Sequence, residues 1–432
     1  MTTTESGRRT RRGVVERVRR RLTVPDAPDF PLLWAASSIS FLGDGMSAAA
    51  LPLLAAWLST DPIDVASVVF VSWLPWLLFA LPAGALADSW DRRRAMWICD
   101  LVRAGLTAAL ALSVMTGTVS IPVLMVAGFL LTTVGIVFDS NSVAVLPQMV
   151  SRDPDRLRMA NSRLMTAQTV ALDFTGAPLG GLLYGLSRAV PLVGDMLTYL
   201  VSAVLLQRMR GTYRVSGAST VRLGTLRSSL AEGVRWLARH PLLRSITAVS
   251  GGGNLAYFIQ SAIMVLFAQQ LGLGPVGFSL LLTAGSIGAL AGGLLAGRID
   301  ARLGGALTIR LTLLADCLAT ALMGLATMAW MPFPILAIAG FAVMVRNVVQ
   351  VSLRQAATPD DLLGRVGGVH RLVTYGAIPL GAMVGGVVAA HFGLRSAMFL
   401  SSGVFALLVL LATVTITRAR VGAVVGRPTD PT

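Results

Sequence analysis

The sequence predicts an all-α membrane protein of twelve transmembrane helices, arranged as two pseudo-symmetric six-helix halves. Three observations carry that expectation. Apolar runs long enough to cross a bilayer recur along the chain, basic residues keep to alternate loops, and the second half repeats the first at a constant offset. Of 432 residues, 54% are hydrophobic and only 13% charged, about half the charged share of a soluble domain.

The apolar runs lie near 30–58, 65–87, 95–115, 121–146, 157–186, 190–208, 242–271, 276–297, 307–329, 332–353, 363–391 and 395–417. Each approaches or exceeds the ~20 residues that a spanning helix needs. Several contain Gly or Pro, which membrane helices tolerate better than soluble ones. The first run is too long for a signal peptide and lacks a small-residue cleavage site.

All 36 basic residues are arginines, and the net charge is +15. Without Lys there is no P-loop and no Schiff-base nucleophile, which argues against ATP hydrolysis or lysine covalent catalysis by this chain. No nucleophile–base set or cluster of metal ligands stands out, so neither an enzyme nor a bound metal or cofactor is expected. Cys99 and Cys317 fall inside apolar runs and read as small buried hydrophobes.

With the N-terminus placed in the cytoplasm, Arg8, Arg9, Arg11, Arg12, Arg17, Arg19, Arg20 and Arg21 fall on the inner side. Arg92–Arg94, Arg152, Arg156, Arg158, Arg208 through Arg244, Arg298, Arg302, Arg354, Arg365, Arg418 and Arg420 follow them. Only Arg188 and Arg395 fall outside. The positive-inside rule then predicts a multi-pass protein of the inner (cytoplasmic) membrane with both termini cytoplasmic. The charge is a topology signal, and nucleic acid is not an expected partner.

This divides the chain into a basic cytoplasmic tail (1–29), a six-helix half (30–208), a cytoplasmic linker (209–240), a second six-helix half (241–418) and a cytoplasmic tail (419–432). In the first tail Val14, Val18 and Leu22 share one helical face, which suits either an anionic lipid surface or a disordered basic arm. In the linker Ser229 and Glu232 have capping-box spacing, and Leu230, Val234 and Leu237 recur at helical period. An amphipathic helix is expected there.

The repeat is read in three places. Pro31-Leu32-Leu33 matches Pro241-Leu242-Leu243, with Asp44 falling on Asn254. "GALADSWDRR" matches "GLLAGRIDAR", pairing Gly84 with Gly293 and Asp91 with Asp300. Pro154 and Leu157 match Pro359 and Leu362, and Gly176, Gly180 and Gly181 match Gly381, Gly385 and Gly386. Parallel repeats of this kind place a substrate site near the midplane and work by rocking one half against the other.

Charges inside spans each need a reason, because burying them in a bilayer costs several kcal/mol. Asp44 stands in the middle of the first span. Its repeat partner Asn254 keeps hydrogen bonding but does not titrate, as expected for a single proton-coupling site. A packing Asp flanked by Gly43 and Gly45 is the alternative. Asp173 and Asp139 are the next proton-coupling candidates. Arg346 overlays Asn141 by the repeat, and a pair between Asp139 and Arg346 across the inner vestibule is expected. Asp100 and Arg103, three apart on one helix, are expected to neutralise each other. Asp195 and Arg310 read as interfacial. Asn254, Tyr257, Gln260, Arg346, Asn347, Gln350, Arg371 and Tyr375 are candidate liners of the substrate cavity.

The chain resembles the major facilitator superfamily beyond its first tail, through "LGDGMSAAALPLL", "ADSWDRRR", "CDLVRAG", "ANSRLMTAQ" and "GRVGGVHRLVTYGAIPLGA". It is most similar to the branch of macrolide-efflux and enterobactin-exporter proteins. Gly84, Asp88, Arg92 and Arg93 match the superfamily signature between the second and third spans, with Ser89 and Asp91 departing from it. The resemblance implies a cytoplasmic gate formed by Gly84, Asp88, Asp91, Arg92 and Arg93, with Arg365 at the start of the eleventh span as counterpart. Simple topology determination by the arginines is the alternative. "GAPLGG", with Gly176, Pro178, Gly180 and Gly181, resembles a degenerate antiporter motif of the superfamily's exporters.

The expected function is secondary active export of an amphiphilic small molecule (a drug, antibiotic or other natural product) by proton antiport with alternating access. Its partners are the substrate, protons and the bilayer, and a monomer is expected. The alternatives are a siderophore exporter of the same fold and a non-transporting membrane receptor or scaffold.

Overall fold

The computed structural model describes residues 27–87, 91–150, 154–213, 223–359 and 362–425. The first half consists of α1 (Phe30–Leu58), α2 (Pro62–Ala87), α3 (Arg92–Thr116), α4 (Ile121–Met149), α5 and α6 (Val190–Gln207). Helix α5 runs in three continuous pieces: Pro154–Gln168, a π-helical stretch Thr169–Gly176, and Ala177–Leu186. The linker helix is α7 (Leu223–Arg239). The second half consists of α8 (Pro241–Ser261, continued by Met264–Gln270), α9 (Pro275–Leu303), α10 (Gly305–Leu325), α11 (Pro332–Ala357), α12 (Leu363–Phe392) and α13 (Leu394–Thr415), followed by the short α14 (Arg418–Val425).

The local sequence explains the element boundaries. Eight of these helices (α1, α2, α4, α5, α6, α8, α9 and α11) carry Pro in the first turn, where its missing N–H costs nothing. The Asp91 carboxylate caps α3 by accepting from the Arg94 N–H at 3.1 Å. Helix α3 stops at Gly117, and α12 turns into α13 at Gly393. Both glycines take a positive φ, of 73° and 87°, that side chains resist.

Eleven helices among the described residues are long and apolar enough to span a bilayer. Helix α5 is the twelfth. Its first piece carries Asp155, Arg156, Arg158 and Arg163, and the π-helical stretch divides it, so no single piece of it is long and apolar enough to span alone. The expected capping box at Ser229 is not the start of a helix: α7 begins at Leu223, and Glu232 lies inside it.

The apolar packing shows how the halves meet. At the end bearing the linker, the cores are separate. One gathers Phe30, Leu33, Met96, Leu146 and Leu206 in the first half; the other gathers Leu237, Leu242, Ile246, Val366 and Phe405 in the second. At the opposite end a single core takes in both, with Leu53, Leu54 and Val65 beside Ile259, Phe267 and Phe278. The two repeats build this closed end in the same way. A Cβ on Gly180 would lie 2.5 Å from the Met46 carbonyl oxygen of α1, and one on Gly181 would lie 2.7 Å from the Pro275 carbonyl oxygen of α9, across the halves. Gly385 likewise sits against Ile259 of α8, and Gly386 against Pro62 of α2, again across the halves. Small residues permit these close backbone approaches.

The start of the linker is fastened to the first half. The Asp29 carboxylate accepts from the N–H groups of Arg210 and Gly211, the latter at 2.7 Å, and from the Tyr213 hydroxyl at 2.8 Å. Burial by itself raises the Asp29 pKa, but these three donors and the nearby Arg93 outweigh it and hold the carboxyl below its ordinary value. A folded pKa below the unfolded one, about 3.9, gives stability that is present above that value and is lost as pH falls through the folded pKa. Asp29→Asn should therefore cost about 1–3 kcal/mol near neutrality. In thermal unfolding of the purified protein, the gap to wild type should shrink as pH drops below about 4. A gap of constant size down to about pH 3 would assign the effect to shape and not to charge.

Candidate functional site: a buried acid–arginine cluster beside an apolar chamber

The first half encloses a cavity of about 370 Å³ whose lining includes Asp44 and Ser47 of α1, Trp73 and Trp76 of α2, Arg103 of α3, Asp139 of α4, and Asp195 and Tyr199 of α6. Arg103 is central to it. Its guanidinium forms an ion pair with Asp44, lies 3.9 Å from Asp100, and stacks over the Tyr199 ring at 4.1 Å from the centroid. The Tyr199 hydroxyl donates to the same Asp44 oxygen at 2.5 Å, and Ser47 donates to Asp195. The α1 backbone brings Asp44 and Ser47 to one face, because residues three apart share it. Gly43 lets α6 approach closely, leaving no room for a Cβ beside Asp195 and Thr198.

A second cavity of about 380 Å³ lies against the second half. It is lined by Ala48 and Pro52 of α1, Val69 and Trp73 of α2, Tyr257, Phe258, Gln260 and Met264 of α8, and apolar residues of α9 and α11. Its walls are apolar and aromatic, with few polar groups. Together the two cavities present an acidic face and an apolar face at the level where the halves meet, the usual make-up of a small-molecule site.

The second half holds its own buried ion pair, Arg346 of α11 with Asp316 of α10. This corrects the expected pairing of Asp139 with Arg346: each half neutralises its arginine internally. The expected Asp100–Arg103 couple is present at 3.9 Å, and Asp44 joins it as the closer carboxylate. Asp195, expected at a membrane edge, is fully buried within the first half. Its position six residues into α6 suggested an interface, but the Gly43 approach places it inside. Arg310 does lie near the helix ends, donating to the carbonyls of Thr413 and Ile416.

The cavity candidates separate into three groups. Tyr257 and Gln260 line the apolar chamber, and Tyr375 packs against Trp73 and Trp76 at its border. Asn254 donates to the Thr374 carbonyl at 2.9 Å, and Gln350 accepts from Ser250 at 2.8 Å, so both knit the second half together alongside Arg346. Asn347 and Arg371 are exposed and line neither chamber. Asp173 is half-buried in the π-helical stretch of α5, outside both linings.

In the gate region, Asp88 lies outside the described residues. Arg92 donates to the Ala144 carbonyl, and Arg93 donates to the carbonyls of Leu206 and Gln207, which caps α6. Arg365 forms a 2.6 Å ion pair with Glu232 of the linker helix. Gly233, next to Glu232, sits against the Arg365 carbonyl, where a Cβ would come within 2.8 Å. The sequence reading missed Asp195, Tyr199, Ser47 and the aromatic wall of Trp73 and Trp76. The spacing of Asp195 and Tyr199, four apart on one helix, was the available signal.

Twelve spans in two repeats around a midplane cavity define a major facilitator superfamily transporter. The family model of transmembrane secretion effectors matches residues 26–426, and the chain belongs to that family. It is 27% identical over 395 residues to the multidrug efflux pump Tap of Mycolicibacterium fortuitum, covering 88% of this chain and 93% of that protein. It is 26% identical over 407 residues to the enterobactin exporter EntS of Shigella dysenteriae serotype 1, covering 90% and 92%. Among solved structures, a bacterial homologue of the human lysosomal transporter Spinster, inward-facing and occupied, superposes with a TM-score of 0.73 at 13% identity. That match covers 91% of this chain and 97% of that one.

Proposed function

We propose that this transporter exports an amphiphilic small molecule across the cytoplasmic membrane by proton antiport, with alternating access between the two halves. The observation that carries this reading is the acidic cavity of the first half set beside the apolar chamber of the second. Two buried carboxylates (Asp100 and Asp195), two half-buried ones (Asp44 and Asp139) and one buried arginine inside spanning helices are costly to keep, and a structural scaffold has no use for them. Asp44 is the proposed proton carrier. Protonating it would release Arg103 toward Asp100 and Asp139 and shift the balance of charge between α1, α3 and α4. The arginine-rich linker side is proposed to face the cytoplasm, as are both termini. In that orientation the shared core closes the outside, and the separate cores leave the inside open. The gate role of Asp88 with Arg92 and Arg93 and the antiporter role of Gly176, Pro178, Gly180 and Gly181 remain part of the proposal. Tap supports the drug reading. EntS supports a second reading, export of a siderophore, which the single arginine among the acids favours less.

The test is reconstitution. Purified protein in liposomes should move an amphiphilic cation against its gradient when a pH gradient is imposed, and should acidify the opposite compartment as it does so. Uphill movement of enterobactin in place of the cation would favour the siderophore reading. Movement of neither would favour the scaffold.

A further inference from the structure

The acidic and apolar chambers touch, and the residues that line both are Ala48 and Trp73. Ala48 has only a methyl group and cannot move out of the way. The indole of Trp73 is thus the wall that separates them. It is held edge-on by two rings of the opposite half: Phe258 of α8 at 5.4 Å between centroids and 70° between planes, and Tyr375 of α12 at 6.4 Å and 61°. Phe258 is itself edge-on to Tyr257, at 5.3 Å, in the wall of the apolar chamber. Trp76, one turn along α2, faces the acidic chamber and packs on Tyr375 at 5.2 Å.

We infer that Trp73 is a movable partition that sets the size of substrate and links its arrival to the acid cluster. This rests on the exporter reading above and adds a residue and a substrate class to it. A small cation fits the acidic chamber alone, where Asp44, Asp139 and Asp195 face the single positive charge of Arg103. A bulky organic cation, with apolar rings in the second-half chamber and its charge toward those carboxylates, lies across both. It does so only when the indole swings away from Phe258 and Tyr375. Edge-to-face contacts are individually weak, so a filled chamber can displace the ring. Because α2 belongs to one half and α8 and α12 to the other, that displacement also loosens a contact between the halves. A bulky substrate thereby reaches the carboxylates and frees the rocking motion in the same step.

Tetraphenylphosphonium and tetraethylammonium serve as the bulky and the small probe, since neither carries a proton of its own. Uphill export of each is measured in liposomes under one pH gradient, for wild type, Trp73→Ala and Trp73→Phe. With the partition removed, Trp73→Ala should raise the preference for the bulky over the small cation on the order of ten-fold, the value of two such ring contacts. Proton flux without substrate should rise as well. Trp73→Phe keeps an aromatic edge and should shift the preference in the same direction by less, which provides a readout should the alanine variant fail to fold. A wild type that exports both cations while neither variant changes the ratio overturns the partition and leaves the exporter reading standing. A ratio that falls overturns it too, because that marks a stacking surface and not a wall. A wild type that exports neither probe overturns the exporter reading and this inference with it.

Discussion

Arg103→Leu is expected to be among the most damaging single substitutions in the first half. Among the described residues the guanidinium is the one cation lining the acidic cavity, where it is paired with Asp44 and lies within 3.9 Å of Asp100. Removing one member of a buried ion pair leaves the other charge uncompensated, at a cost of about 3–5 kcal/mol. Here Asp44, Asp100, Asp139 and Asp195 would all lose it together, and Tyr199 would lose the cation stacked on its ring. The purified variant should unfold at a markedly lower temperature and give no uphill transport. Adding Asp44→Asn to it removes the most directly orphaned carboxylate. The double variant should recover part of the lost stability, because partners in one pair are not additive, but no transport. Thermal unfolding of wild type, both single variants and the double variant measures this. Strictly additive losses would mean that Asp44 and Arg103 do not act as a pair.

The fold was legible because the bilayer leaves few choices. Backbone groups must be satisfied within each span, so length and hydropathy reveal the helices, and the constant repeat offset orders them into halves. Helix α5 shows where this fails. Its opening turns are charged and its middle is π-helical, so the apolar run at 157–186 marks its extent but not its break, and the glycine motif it shares with α12 places it in the repeat. The glycines also carried the packing: Gly180–Gly181 and Gly385–Gly386 occupy equivalent places, one of each pair on its own half and one across the divide.

The site was less legible because pairing depends on which helix faces sit together. Sequence proximity suggested Asp100 for Arg103, which pairs at 3.9 Å, but the closer partner is Asp44, 59 positions away. Pseudo-symmetry suggested Asp139 for Arg346, but α10 supplies Asp316 from within the same half. Arg365 was read as a counterpart of the gate, whereas the structure gives its side chain to Glu232 of a linker helix whose partner no spacing rule names. Candidates chosen for polarity alone divided accordingly: Tyr257 and Gln260 reached the chamber, while Asn347 and Arg371 are exposed and line neither cavity.

Asp44→Asn is expected to abolish coupling while sparing the fold. Asparagine keeps an oxygen to accept from Tyr199 and Arg103, and Asp100 remains near the guanidinium as its counterion. The loss in stability should therefore be smaller than for Arg103→Leu. What disappears is the group proposed to exchange a proton. One pH unit is worth about 1.4 kcal/mol per proton, which sustains about a ten-fold substrate gradient when one proton is exchanged per substrate. Wild type should build that gradient in liposomes and Asp44→Asn should build none. Downhill counterflow should persist, since the cavity keeps its shape. A carboxylate that only bound the substrate would behave differently: affinity for a cation would fall, but whatever transport remained would still follow the pH gradient. A packing residue would show poor expression with neither signature. Robust pH-driven export by Asp44→Asn would move the proton elsewhere. Asp139 would then come first, because it lines the same cavity, and Asp173 after it, because it lines neither chamber.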